Sequence, residues 1–405
     1  MRIFILLLFL FLGGAKSELH AQRLSRLAPP PDWSKLQAFQ QSITHDDFLH
    51  YLTQVYSPSG AWQKWIQVTP ERAVITTREG KAPFILRFAP SRSQASAPSH
   101  FWRTRENLPS PTAGKPLNGL RIAIDPGHIG GDWAKVEERW FKTAGSRPVI
   151  EGDMTLYVAR LLKPLLEQRG ATVYLTRSKS APVTSDRPNK LLAAARASLR
   201  DSNTAPTETN LRKESEILFY RFSEIRMRGR LVNERIRPDL VLCLHFNAEA
   251  WGNEARPSFV KDNHLHFLVS GAFSGEELAY EDQRFGMLFK LLSRSFEEEL
   301  AVTKEVARSM AEATGLPPFE YKSSKAINIG GGPYIWARNL LANRIMECPV
   351  IFAEPYVMNN ATVFARIQAG DYSGLKMVAG KERPSIYREY AQSIANGLVA
   401  YYSKR

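Results

Sequence analysis

Leu120-Arg-Ile-Ala-Ile-Asp-Pro-Gly-His128, continued by Ile129-Gly130-Gly131, is the stretch on which the reading of this chain turns. An apolar run from Leu120 to Ile124, broken only by Arg121, stops at Asp-Pro-Gly and presents a histidine. Short apolar runs bounded by turn residues read as buried parallel strands. Pro126 has no N–H to donate and Gly127 admits positive φ, so the ladder ends there. In open α/β sheets the ligand crevice lies beyond the carboxyl ends of the strands. His128 is expected at that edge.

The same arrangement recurs twice. Residues 239–244 (Asp-Leu-Val-Leu-Cys-Leu) end in His245-Phe246-Asn247-Ala248, and residues 349–353 (Pro-Val-Ile-Phe-Ala) end in Glu354-Pro355. If these runs are parallel neighbours, two histidines and a glutamate converge on one edge. Glu151 opens a helical pattern over 151–168. A helix that follows a strand starts near that strand's carboxyl end, which returns Glu151 to the same edge. The alternative is a first-turn glutamate favoured by the helix dipole.

Working outward, residues 120 onward alternate strand and helix patterns, which predicts an α/β fold. The expected architecture is a mainly parallel sheet flanked by helices on both faces, preceded by a small α+β N-terminal module. Further strands are expected at 171–177 and 263–270. Helices are expected at 190–199, 212–235, 276–292, 295–314 and 386–402, with a glycine-rich loop at 327–332 and a short helix at 335–342. The division that follows is a signal peptide (1–17), a small module of unreadable role (18–90), a Ser/Pro-rich linker (91–118) and a catalytic domain (119–403).

Met1-Arg2, the apolar run 3–12 and the small residues around Ala15 read as a secretory signal peptide. The run is too short to span a bilayer core of about 30 Å as a helix. No later segment reaches spanning length, so after cleavage no integral membrane segment is expected. The chain would then be exported to the periplasm or cell envelope. A formal net charge of +14 on 405 residues suits attraction to an anionic envelope polymer. Export argues against nucleic acid as the partner. Cys243 and Cys348 stand about 13 Å apart in depth if their strands are level, at ~3.3 Å per residue. A disulfide needs Cα atoms within about 7 Å, so both are expected as free buried thiols.

Zinc hydrolases take three protein ligands from His and Asp/Glu and keep a fourth position for water. His128, Glu151 and His245 meet that count and ligand type for one Zn²⁺ ion. Glu354 is left over on the same edge, where a carboxylate can take a proton from water and pass it to a departing amine. Glu137 and Glu138 are the fallback ligands should Glu151 stand elsewhere. His264 and His266 alternate along one strand and so share a face, either a second metal site or, the preferred reading, a half-buried strand face with one of them a candidate to line the cleft. Asp125 is either an outer-sphere group that orients a ligand or a turn residue.

These blocks together, with Thr176-Arg177 and Arg230-Leu-Val-Asn233, resemble the zinc-dependent N-acetylmuramoyl-L-alanine amidases of the amidase type 3 family. The resemblance runs from about Leu120 to Tyr402. It implies a peptidoglycan substrate, cleaved between the lactyl group of muramic acid and the L-alanine of the stem peptide. It implies zinc at His128, Glu151 and His245, and a catalytic glutamate at Glu354. Asn247, His266 and Arg177 are the candidate substrate contacts, and an activator protein is a candidate partner. The chain departs from the family pattern at Ile129, in a long basic and aromatic segment 132–150, and in an insert at 201–221. The acidic helical stretch 276–299 is either an occluding lid, through Glu276-Glu277 or Glu297-Glu298-Glu299, or a set of packing helices. Two other readings stay open, namely a zinc peptidase or deacylase of other wall peptides, and a catalytically silent wall-binding protein.

Overall fold

The computed structural model describes residues 24–78, 80–251 and 258–404, so the signal-peptide expectation at 1–17 lies outside the described residues. The first part of the chain holds helix α1 (His45–Tyr51) and an antiparallel sheet of β1 (Ile66–Val68), β2 (Arg72–Ile75) and β3 (Phe84–Arg87). Thr44 caps α1 by accepting from the Asp47 N–H. Next come β4 (Arg121–Pro126), the short pair β5 (Trp140–Phe141) and β6 (Val149–Ile150), α2 (Glu151–Gln168) and β7 (Thr172–Leu175). Helices α3 (Leu192–Asp201), α4 (Glu208–Ile217) and α5 (Glu224–Arg230) lead to β8 (Leu240–Leu244) and β9 (Leu265–Val269). Then follow α6 (Gly275–Leu278), α7 (Glu281–Leu292), α8 (Ser295–Thr314), β10 (Ile327–Asn328), β11 (Ile335–Ala337), α9 (Leu341–Ile345) and β12 (Val350–Pro355). Helix α10 (Ala361–Ala369), the hairpin of β13 (Lys376–Val378) and β14 (Lys381–Arg383), and α11 (Ile386–Tyr402) close the chain.

Seven strands form the central sheet in the order β10-β11-β9-β12-β8-β4-β7. β7, β4, β8 and β12 run parallel, as their apolar runs predict. β9 pairs antiparallel with β12, and β11 runs parallel to β9, so these two strands reverse direction, while β10 pairs antiparallel with β11. Successive side chains on a strand point to opposite faces. Ile122, Ile124, Leu242 and Ala353 accordingly join the core under α2, α8 and α11. Ala123, Val241, Cys243 and Phe352 join a second core with Val232, Ile236 and Met346 on the other face. The unbroken apolar runs therefore mark strands covered on both sides.

Two expectations are corrected. The short helix at 335–342 is instead strand β11 followed by helix α9, because a three-residue apolar segment has too few positions to separate the two periods. The Ser/Pro-rich stretch 91–118 lies against the domain rather than free of it. Trp102, Leu108 and Leu117 are buried, and Arg103 donates to both carboxylate oxygens of Asp239 at 3.0 and 2.7 Å. The N-terminal module also packs directly on the sheet domain, through Phe39 edge-on to Phe289 and backbone hydrogen bonds from Ala272 and Phe273 to Val55 and Tyr56. Cys243 and Cys348 are free and buried. Among the described residues no helix is long and apolar enough to cross a membrane.

Candidate metal centre

Register sets the heights of the site residues. Pro126 pairs with Leu244, and Leu244 pairs with Ala353, so Gly127, His245 and Glu354 follow side by side at the ends of three adjacent parallel strands. A slip of one residue would turn either side chain to the opposite face. Gly127 is required here, because a Cβ on it would lie 2.3–2.6 Å from the His245 ring atoms. Beyond it the chain turns through His128 at φ +60° and Gly130 at φ +77°.

The loop is then clamped to the start of α2. A Cβ on Gly152 would meet the Gly130 backbone nitrogen at 2.3 Å, so only glycine permits that approach. Gly131 N–H donates to Asp153 Oδ1 at 2.9 Å, and Thr155 Oγ1 donates to the Gly127 carbonyl at 2.7 Å. Those contacts bring Glu151, the first residue of α2, against both histidines. Glu151 Oε2 lies 3.2 Å from His128 Nε2, and Glu151 Oε1 lies 3.1 Å from His245 Nδ1. The two rings cross at 82° with centroids 5.0 Å apart, and His245 stacks on Phe352 at 4.3 Å.

The three donor atoms lie within 4.8 Å of one another, the one such group of three or more among the described residues. Two ligand atoms on one tetrahedral zinc at 2.0–2.2 Å would be about 3.4 Å apart. The spacings of 3.1 and 3.2 Å match that reach. Two imidazoles and a carboxylate are also the donor set that a catalytic zinc takes. The residues present fit a zinc ion.

Charge couples these groups. Burial works against a charged His128, but the carboxylates of Glu151 and Glu137 outweigh it and raise its pKa to about 9. Burial opposes the ionised Glu151 as well, yet His128 and His245 hold it well below the usual carboxylate range. Burial lowers His245 against the pull of Glu151. Glu354 is pushed far up by burial and by the neighbouring charge of Glu151, with His128 and nearby arginines opposing. A carboxyl so placed holds a proton readily and releases it when a cation arrives.

Glu354, His128 and His245 line one cavity of about 590 Å³. A larger one, about 900 Å³, lies between residues 27–35 and α7, but it gathers no imidazole and so offers no comparable chemistry. Of the candidate substrate contacts, none lines the smaller cavity. Arg177 is buried beneath the loop and donates to the carbonyls of Pro126, Gly127 and Gly152 at 3.0, 3.1 and 2.5 Å. Asn247 bonds its neighbour, with Oδ1 accepting from Ala248 N–H at 2.8 Å. His266 is buried on β9, directly opposite Glu354 in the ladder.

Two residues with clear parts at the site were not singled out for them by sequence. Glu137 is no ligand beside Glu151. Its carboxylate accepts from Ile129 N–H at 3.0 and 2.9 Å and from Gly130 N–H at 3.2 Å, with Oε1 3.6 Å from His128 Nδ1. The extra residue Ile129 and the long segment 132–150 thus work as a pair, one supplying amide donors and the other the acceptor. Arg228 on α5 donates to Glu224, Asp125 and the carbonyls of Pro126 and His128 at 2.8–3.2 Å. It sits between π-helical turns at Leu218–Ser223 and Leu231–Ile236 that carry the helix past the loop. A lone arginine inside a helical pattern carries no signal of such a role.

The stretch 276–299 forms packing helices. Glu298 accepts from Tyr401 and Tyr402 Oη, and Glu299 pairs with Lys290 at 2.7 Å with both side chains fully buried. Glu277 lines the cavity while serving the capping box of α6.

Residues 122–376 match the family model described as N-acetylmuramoyl-L-alanine amidase. The chain belongs to that family. Among curated relatives of this amidase family member, the probable cell wall amidase LytH of Staphylococcus epidermidis is 36% identical over 87 residues, 21% of this chain and 28% of that protein. Its namesake in Staphylococcus saprophyticus is 39% identical over 88 residues, with the same coverage. The matched stretch therefore spans less than a third of those relatives. Solved structures of similar proteins include the amidase Ami1 from Mycobacterium abscessus, at 16% identity and a TM-score of 0.39 over 70% of this chain and 99% of that one. Another is the CwlD amidase from Clostridioides difficile in complex with the GerS lipoprotein, at 14% identity and 0.39 over 70% and 98%.

Proposed function

We propose that this family member is an exported, zinc-dependent amidase that hydrolyses the amide between the muramic acid lactyl group and the L-alanine of peptidoglycan stem peptides. The observation that carries the reading is the meeting of His128, Glu151 and His245 donor atoms within 4.8 Å, beside Glu354, at the ends of three parallel strands. His128 Nε2, the Glu151 carboxylate and His245 Nδ1 would hold the ion. Zinc, when bound, supplies a Lewis acid for the scissile carbonyl and lowers the pKa of water toward 7.

The chain's own groups do the rest. The Glu137 carboxylate faces His128 Nδ1 at 3.6 Å and favours the proton on that nitrogen, which leaves the Nε2 lone pair directed to the site. A carboxylate is a usual outer partner of a ligating imidazole. Glu354 takes the proton of the attacking water and delivers it to the leaving amine, which departs poorly unless protonated. Its buried position suits the cycle, since it raises the proton affinity needed for delivery. Arg177, Arg228 and Thr155 hold the loop carbonyls and keep His128 in its left-handed turn.

The apolar leader at 1–17 supports export, and the net charge of +14 supports an anionic envelope polymer as the surface it works on. An activator protein is proposed as a partner by analogy with the lipoprotein-bound relative. Digestion of purified sacculi with and without a chelator, read by mass, tests the function. The expected result is intact stem peptides with free alanine amino termini, lost on chelation. Shortened stems would indicate a peptidase instead, and no release would leave a silent protein.

A further inference from the structure

The charges that line the catalytic cavity do not balance pair by pair. Asp125 and Glu224 are taken by Arg228, and Glu137 by backbone N–H groups. Arg139 Nε faces Glu151 at 3.5 Å. Arg344 donates to Asn339 at 2.5 Å. Arg338 lines the same cavity as Glu354 and forms no ion pair among the described residues.

Arg338 is nonetheless held in place. It follows β11, its N–H donates to the Val269 carbonyl at 3.0 Å, and its guanidinium lies 5.7 Å from the Tyr321 ring. Its Nη1 is 3.4 Å from Tyr321 Oη, and that hydroxyl is 3.0 Å from His266 Nε2. His266 in turn pairs with Glu354 across the ladder. A tyrosine and a histidine thus position a cation at the Glu354 side, where its charge acts on the Glu354 carboxyl without a direct ion pair. Its fork remains open to a carboxylate, which guanidinium binds with two parallel bonds.

Glu354 delivers its proton to the leaving amine, so the departing peptide lies on this side. Peptidoglycan stems carry, next after the first alanine, a glutamate joined through its side chain, whose α-carboxylate is free unless amidated. Two residues of chain span about 7 Å, which brings that group within the cavity. We propose that Arg338 is a specificity-determining residue that binds the free α-carboxylate of the second stem residue. The proposal rests on the amidase reading.

The test compares kcat/KM of the zinc-loaded protein on three disaccharide tripeptides: the free acid, one amidated at the second residue, and one amidated only at the third. The wild type should prefer the free acid over the second-residue amide by about tenfold or more, the scale of a hydrogen-bonded charge pair. The third-residue amide should be cleaved like the free acid. In Arg338→Gln the loss should fall mainly on the free acid, through KM, and bring the preference within about twofold. Arg338→Lys should keep part of the preference, since charge survives and the fork does not. Equal zinc content in all variants confirms the folded site. A wild-type ratio near one, a preference that survives Arg338→Gln, or a dependence that follows the third residue would overturn the proposal with the amidase reading intact. Failure to cleave any of the three would overturn both.

Discussion

His128 and His245 reach the sheet edge on separate strands, whereas His264, just before β9, and His266, on it, stand two residues apart on one stretch of chain. The first two rings stand 5.0 Å apart at 82°, with one carboxylate between them. The second two stand 6.1 Å apart at 44°, and each takes its own partner, Glu249 Oε1 at 2.8 Å for His264 and Tyr321 Oη at 3.0 Å for His266. Both pairs are histidines near acids on one sheet. Alternate positions on one strand point the same way but stay parallel, so they do not aim at a common point. Neighbouring strand ends, with a helix start beside them, do aim at one. The comparison teaches that ligand type alone does not make a metal site.

The largest expected effect separates ligand from proton carrier within the first set. Glu354→Gln should lower turnover by at least about 10² while leaving zinc bound, as loss of a general base and acid does. Paired kinetics and metal analysis check it, and zinc loss in this variant would make Glu354 a ligand. His128→Ala or His245→Ala should lose zinc and activity together, whereas His264→Ala should keep one zinc per chain. Equal zinc loss in both sets would erase the contrast.

Next in size is the seam between β9 and β12, at the end away from the histidines. Lys290 donates to Glu299 and to the Cys348 carbonyl, both at 2.7 Å, and Glu299 accepts from Ser270 and Val350 N–H at 3.1 and 3.2 Å. The pair therefore ties α7 and α8 to β9 and β12. Lys290→Ala would strand a buried carboxylate and should cost about 3–5 kcal/mol in denaturant unfolding. Glu137→Gln tests the loop that only the first set has. It should weaken zinc binding about 10–100-fold, the usual range for a partner of a ligating histidine.

The smallest effect is a control remote from both sets. Hydrogen bonds from Arg92 hold the Asp47 carboxyl below its ordinary pKa. A carboxylate lowered in the folded state stabilises above its unfolded pKa of about 3.9 and loses that contribution as pH falls through its folded value. Asp47→Asn should thus lower Tm near pH 7, and the gap to wild type should close in melts below about pH 4.

The parallel half of the sheet and the four convergent residues were legible because each strand announces itself as an apolar run closed by turn residues. Helices 151–168, 295–314 and 386–402 match α2, α8 and α11 for the same reason, a sustained period. The reversal of β9 and β11 was not legible, since side-chain period is the same in either direction. Trp102, Leu108 and Leu117 bury themselves from a segment whose average composition is polar, and averages hide three anchors. Glu137 and Arg228 act through backbone groups, which leave no motif. Arg177, expected at the substrate, instead holds carbonyls beneath the loop, because a strand-end arginine can turn inward as well as out.

The central claim is tested most directly by zinc-edge anomalous diffraction from crystals of the wild-type protein. A single peak bonded to His128 Nε2, the Glu151 carboxylate and His245 Nδ1 is the predicted result. A peak between His264, His266 and Glu249, or zinc held by Glu137 in place of Glu151, would contradict it.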